Sequence, residues 1–169
     1  SAGNALNDVY VGNDVAIAVG ANGTVVYSYD GEVWYKSPGT PGAALTLTAV
    51  MAKSKRSWLV GTSNGQLWCT DNGGTTWTKV KYPGWLTNVN SINDIQESSN
   101  HIVWMAIGAK LYRSLDGGAT WVEEPNSKLT FPTNNKLKSI APCSENVNYV
   151  VVGGTSTTNT GFLVAGEPK

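Results

Sequence analysis

Histidine occurs once in these 169 residues, arginine twice and cysteine twice, and acidic and basic side chains cancel at 12 each. The single His101 has no Cys or Asp cluster at ligand spacing. Neither a metal site nor a Ser-His-Asp triad is therefore supported, and a water-exposed loop position accounts for the residue. Cancelled charge leaves no net field to steer the chain onto nucleic acid or an anionic membrane. The longest apolar run, around Val15–Val19, is far short of the roughly 20 residues that cross a bilayer, so membrane insertion is not expected. Cys69 and Cys143 offer only one possible pair and fall in different repeat units. They read as two free, mostly buried thiols rather than a disulfide framework. The glycine-rich GGTSTTNTG from Gly153 lacks the lysine and the helix of a phosphate loop, and no cofactor is implied. The first residue is Ser1, with no methionine or basic-apolar leader, which reads as a processed product or a piece of something larger. What remains is a low charged fraction with abundant Gly, Asn, Thr and Trp, the composition of a turn-rich β-protein that faces the outside.

What is present is a repeat. SYDGEVW from Ser28, CTDNGGTTW from Cys69 and SLDGGATW from Ser114 align on Asp30, Asp71 and Asp116, which lie 41 and 45 residues apart. Upstream of each copy stands a short apolar-polar alternation: LNDVY from Leu6, LTAVM from Leu47, INDIQ from Ile92, and a fourth, LKSIA, from Leu137. A stronger run ending in glycine follows each: AIAVG, WLVG, WMAIG and YVVVGG. Their period of two predicts strands. Asn-Gly in ANGT from Ala21 and SNGQ from Ser63 predicts tight hairpins with positive φ at both central residues. The formal glycosylation sequon Asn22-Gly23-Thr24 is then turn chemistry.

Each unit reads as a four-stranded antiparallel meander of about 40–45 residues, the signature of a β-propeller blade. The expectation is an all-β, β-propeller-like single domain over 1–169, with repeats at about 5–45, 46–90, 91–136 and 137–169, the last incomplete. The spacing S-x-D-G-G-x-T-W resembles the Asp-box, or bacterial neuraminidase repeat, of sialidases, sortilin-type receptors, some glucanases and a photosystem II assembly factor. The match is close at Ser114, Asp116, Gly117, Gly118, Thr120 and Trp121. The Cys69 copy has cysteine for serine and one extra residue before Trp77, and the Ser28 copy is one residue shorter before Trp34.

In such a turn the aspartate accepts backbone N–H groups a few residues on, and glycine supplies positive φ. Ser28, Asp30 and Trp34, then Asp71, Gly73 and Trp77, then Ser114, Asp116, Gly118 and Trp121 are accordingly structural. The tryptophans are placed to pack between neighbouring blades. The resemblance implies that these turns lie on the rim away from the ligand face. Among relatives, sialidases clamp a carboxylate with three arginines, and this chain has only Arg56 and Arg113. Arg113, directly before an aspartate-turn serine, reads as an exposed strand residue. Glycoside hydrolysis needs two carboxylates across a cleft. Asp8 and Asp94, in the same slot of their first strands, are the one enzymatic hint, against a reading as polar strand residues. Glu123 and Glu124 read as solvated on an outer strand.

The connections between blades, YKSPGTPGAA, KYPGWLTNVN and PNSKLTFPTNN, are long and irregular. They carry Tyr82, Trp85 and Phe131 beside Asn88, Asn90, Asn134 and Asn135. Aromatic faces beside amides suit a sugar or a protein partner equally, while Trp85 and Phe131 could instead plug the crossovers against the core. Trp58, one strand period from Val60, belongs to the core. An incomplete fourth repeat leaves blade faces to be covered, by a larger propeller, by further copies of the chain or by a borrowed strand. The chain therefore reads as a non-enzymatic binding or structural module of an exterior assembly (virion, cell surface or secreted), engaging protein or glycan and assembling with itself or other chains. The alternatives are a glycosidase acting through Asp8 and Asp94, and an assembly factor like the photosystem protein, which would carry a strong basic patch.

Overall fold

A computed structural model describes residues 3–87, 90–124, 136–142, 150–156 and 161–166. The chain is an all-β propeller of consecutive antiparallel meanders. Blade one is β1 (Leu6–Gly12), β2 (Val15–Gly20), β3 (Val25–Ser28) and β4 (Tyr35–Lys36). Blade two is β5 (Leu47–Ala52), β6 (Trp58–Thr62), β7 (Leu67–Thr70) and β8 (Thr78–Val80). Blade three is β9 (Ile92–Glu97), β10 (Val103–Ile107), β11 (Lys110–Ser114) and β12 (Val122–Glu123). Blade four, among the described residues, is β13 (Lys136–Pro142), β14 (Val150–Thr155) and β15 (Gly161–Gly166).

The hairpin turns differ in kind. Asn22 and Gly23 both take positive φ, at 55° and 63°, the mirror-image turn that matches strand twist. In the second copy only Gly65 does, at 74°. The expectation of two positive φ values fails there because the Thr62 hydroxyl takes over the closure, accepting the Gln66 N–H at 2.8 Å and donating to Asn64 Oδ1 at 2.7 Å.

Apolar side chains alternate between two faces of each blade and meet those of the neighbour. Val15, Ile17 and Val19 of blade one pack against Leu47, Val50 and Trp58 of blade two. Met51 and Leu59 on the opposite face of blade two meet Ile92, Ile95 and Met105 of blade three. Trp104 and Ala106 then face Leu137, Ile140, Val150 and Val152 of blade four.

A second device ties the blades together. Every first strand carries one extra residue in its ladder, at Asn7, Thr48, Asn93 and Lys138. Such bulges re-aim a side chain. Asn7 Nδ2 donates to the Leu47 carbonyl (2.8 Å), Thr48 Oγ1 to that of Ile92 (2.6 Å) and Asn93 Nδ2 to that of Leu137 (2.6 Å), each on the first strand of the next blade. The following residue adds an acceptor in two copies. Asp8 Oδ2 takes the Val50 N–H at 2.8 Å, and the buried Asp94 Oδ2 takes that of Ile140 at 2.7 Å. The matching slots of Asp8 and Asp94 thus carry equivalent blade-to-blade ties. Burial pushes the Asp8 carboxyl up from its ordinary value, against the two N–H groups that stabilise its charge.

Candidate binding face

Meander topology separates two ends of every blade. The aspartate turns and the β1–β2-type turns lie at one end, and the β2–β3-type hairpins and the blade crossovers lie at the other.

At the first end, Asp116 Oδ1 accepts the Ala119 and Thr120 N–H groups at 3.0 and 2.8 Å, and its Oδ2 accepts the Thr120 hydroxyl at 2.6 Å. Ser114 Oγ donates to Oδ1 and accepts the Gly118 N–H, both at 2.7 Å. Asp30 repeats this in a turn one residue shorter, taking the Glu32 and Val33 N–H groups at 2.9 Å each. In blade two the expected register is corrected. Asn72, not Asp71, accepts the Thr76 N–H at 2.9 Å, and Thr70, not Cys69, supplies the hydroxyl that takes the Gly74 N–H at 3.0 Å. Asp71 points outward and accepts the Ser57 hydroxyl at 2.6 Å. Alignment on the Gly-Gly pair, rather than on the carboxylate, finds the true correspondence.

Asp30, Asn72 and Asp116 are thus engaged by backbone and hydroxyl donors of their own turns. The Thr120 hydroxyl, the turn's N–H groups and Ser114 hold the Asp116 carboxyl down at about 2. A carboxyl depressed in the folded state contributes stability above its unfolded value near 3.8 and loses it as pH falls towards 2. The melting-temperature gap between the wild type and Asp116→Asn should therefore be present at pH 6 and shrink between pH 4 and pH 2. A gap constant over that range would show that the charge contributes nothing.

At the second end, the blade-two to blade-three crossover is shaped by Tyr82-Pro83-Gly84-Trp85. Proline fixes φ at the second turn position and Gly84 takes φ of 80° at the third, closed by the Trp85 N–H to the Tyr82 carbonyl at 3.0 Å. The turn leaves Leu86 77% exposed and Trp85 half-buried, with the Lys81 ammonium 5.8 Å above the indole. Beside it a depression of about 260 Å³ is lined by Gly84, Thr87, Asn90, Ile107, Lys110 and Tyr112. The Asn90 side chain is wedged against Gly108 of the β10–β11 hairpin, where a Cβ would lie 3.0 Å from its amide carbon. Glu123 sets the polarity of one wall, accepting from Lys110 Nζ at 2.9 Å and from the Tyr112 hydroxyl at 3.3 Å. Burial, and then the Glu123 charge, push the Tyr112 phenol well above its ordinary value, so it remains a donor at neutral pH.

Of the residues expected here, Trp85 lines the crossover surface, while Tyr82 is in the core. Its hydroxyl donates to the Gly65 carbonyl and its ring meets that of Tyr112 edge-on at 5.4 Å. Burial pushes its phenol up to about 12. Asn88, Phe131, Asn134 and Asn135 lie outside the described residues. The residues that sequence reasoning passed over, Leu86, Lys110 and Tyr112, sit on strands or next to the turn, with no motif to mark them. Glu124 is also corrected. It is buried and ion-paired with the partly buried Arg113, and its N–H continues the pairing of β12 on β11 by donating to the Leu111 carbonyl at 2.9 Å. Burial raises the Glu124 carboxyl and the Arg113 guanidinium opposes that shift.

Residues 2–164 match the family described as the DUF6242 beta propeller domain. The chain belongs to that family. No curated protein matches this DUF6242 sequence. Among solved structures it is similar to YCF48 from Cyanidioschyzon merolae, at 18% identity and a TM-score of 0.72, over 99% of this chain and 52% of that one. It is also similar to YCF48 bound to D1 peptide, at 17% identity and a TM-score of 0.68, over 98% and 50%. An ancestral GH74 enzyme matches at 15% identity and a TM-score of 0.66, over 96% of this chain and 24% of that one. The chain thus spans about half the length of the YCF48 structures, and the likeness is one of fold.

Proposed function

We propose that this DUF6242 propeller is a non-enzymatic binding module, part of an exterior assembly, that takes an extended protein segment across the crossover between blades two and three. The observation that carries the reading is the juxtaposition of exposed Leu86 and half-buried Trp85 with a small depression edged by Lys110, Asn90 and Thr87. An apolar anchor beside polar side chains suits a peptide whose side chains enter a pocket while its backbone is hydrogen-bonded. A YCF48 structure of the same fold, bound to D1 peptide, supports a protein ligand over a glycan. The carboxylates of Asp8 and Asp94, the pair an enzymatic reading would use, each hold a backbone N–H of the next blade.

Panning the chain against a random peptide display library tests this. Selected peptides should bind Leu86→Asp and Trp85→Ala at least about 10-fold more weakly, a loss of about 1.4 kcal/mol each. Leu86→Asp should leave the melting temperature unchanged. Failure to enrich any peptide, or binding indifferent to both substitutions, would remove the reading.

A further inference from the structure

Equivalent positions at the outer side of two successive blade junctions are filled differently. In blade one, Tyr27 of β3 pairs with Tyr35 of β4, one residue before the turn serine Ser28. In blade two the same two slots hold Cys69 and Thr78, one residue before the turn hydroxyl of Thr70. A third slot belongs to the later blade, at the residue opposite that blade's own turn hydroxyl. It holds Trp58 opposite Thr70 in blade two and Val103 opposite Ser114 in blade three. At the junction of blades one and two all three are therefore aromatic, with the Tyr27 ring 5.7 Å from Tyr35 and 5.4 Å from Trp58. At the junction of blades two and three they are a thiol, a hydroxyl and an isopropyl group, and the groove stays open.

The opening is a depression of about 390 Å³, walled by Leu59, Cys69, Thr78 and Val80 of blade two and by Gly118 and Ala119 of the blade-three aspartate turn. Three lysines, Lys53, Lys79 and Lys81, and one carboxylate, Asp71, complete its edge. Asp71 already accepts the Ser57 hydroxyl, and the Lys79 ammonium sits 5.1 Å above the Trp68 ring. Lys53 is half-buried, and its stem lies against the blade-three turn, where a Cβ at Gly117 would be 3.4 Å from its Cδ and 3.9 Å from its Nζ. Among the described residues no carboxylate forms an ion pair with Lys53. A partly desolvated ammonium of this kind favours an anion beside it. Burial, and then the Asp71 charge, push the Cys69 thiol up, so it is a neutral part of the floor. The Lys53 ammonium opposes that shift, and its field therefore reaches into the depression.

We propose that this groove binds a small aromatic carboxylate, its ring taking the volume that Tyr27, Tyr35 and Trp58 fill at the neighbouring junction and its acid group meeting the Lys53 ammonium at the mouth. The apolar walls of Leu59 and Val80 cover the ring, and a few polar groups at the edge orient it, the usual division of labour in a small-molecule site. The Thr78 hydroxyl, in the slot of Tyr35, offers a further donor. Asp71 selects against a second acid group by like-charge repulsion, so the ligand carries one. None of the walls is shared with the depression beside Trp85, and the inference is independent of the peptide-binding reading.

Phenylacetate and its neutral amide, phenylacetamide, are the probes, titrated into the isotope-labelled chain and followed by amide chemical shifts. Phenylacetate should shift the signals of Cys69, Thr78, Gly118 and Ala119 saturably, and phenylacetamide should bind at least about 10-fold more weakly. Lys53→Met should weaken phenylacetate by about 10-fold and leave phenylacetamide unchanged. Cys69→Tyr combined with Thr78→Tyr, which installs the side chains of the neighbouring junction, should abolish binding of both while far-ultraviolet circular dichroism matches the wild type. Leu86→Asp should leave phenylacetate binding unchanged, since that side chain belongs to the crossover. The proposal is overturned by the absence of saturable shifts at these amides at millimolar phenylacetate, or by equal binding of acid and amide. Binding that survives the paired tyrosines, or that depends on Leu86, would overturn it as well.

Discussion

Trp58→Ala should lower the unfolding free energy by about 3–5 kcal/mol, the range for emptying a fully buried large aromatic site. Trp58 has no exposed surface, and it stands where blades one and two meet. Its ring centroid lies 5.4 Å from Tyr27 and 6.3 Å from Trp77, and its Nε1 donates to the Lys55 carbonyl at 3.2 Å. The surrounding groups belong to two sheets whose spacing is fixed by their own ladders and by the Asn7 tie, so collapse around the void is limited. Guanidinium unfolding followed by circular dichroism measures the loss, and a thermal melt should fall by about 6–20 °C for a chain of this size. A loss below about 1 kcal/mol would mean that the junction does not depend on this side chain.

Gly74→Ala should cost about 2–5 kcal/mol, and Gly73→Ala next to it about 1–2. Both residues take positive φ, 83° and 68°, where an L side chain is strained by roughly 1–2 kcal/mol. Only at Gly74 is there also no room. A Cβ there would lie 2.0 Å from Ser37 Oγ and 3.0 Å from the Trp58 ring, whereas at Gly73 its nearest neighbours would be 3.8 Å away. Overpacking of that kind adds roughly 1–3 kcal/mol. The Gly74 carbonyl also accepts from the Ser37 hydroxyl, the Gly39 N–H and Trp77 Nε1, so a shift of this backbone disturbs three bonds, two of them to blade one. Equal losses at the two glycines would refute the close-approach argument and leave backbone strain alone.

The blades were legible because each strand's period and each turn's chemistry are local. Alternation around Val9, Val50 and Ile95, and Asn-Gly at the first hairpin, carry their own structural consequence. What was not legible depends on contacts across the repeat. Asp71 reads as the turn acceptor because the other two copies carry aspartate there, while the hydroxyl of Thr70 and the amide of Asn72 fill the roles in the neighbouring positions. Tyr82 looked like a ligand-facing aromatic because its loop is irregular, yet its hydroxyl finds the Gly65 carbonyl 17 residues back. Glu124 reads as solvated from its place on the outer strand, since nothing local shows that it pairs with Arg113 of the neighbouring strand. Asp8 and Asp94 shared a slot for a reason visible only when the partner strands, 42 and 46 residues away, are in place.

The bulge-borne ties have a further bearing on how the molecule comes apart. Each reaches only the adjacent blade, and the three apolar cores are likewise pairwise. Such a molecule behaves as a one-dimensional array, in which melting is governed by nearest-neighbour couplings rather than by a single global nucleus. Amide hydrogen exchange should then be slowest in β5, β6, β9 and β10, which are coupled on both sides, and faster in β1.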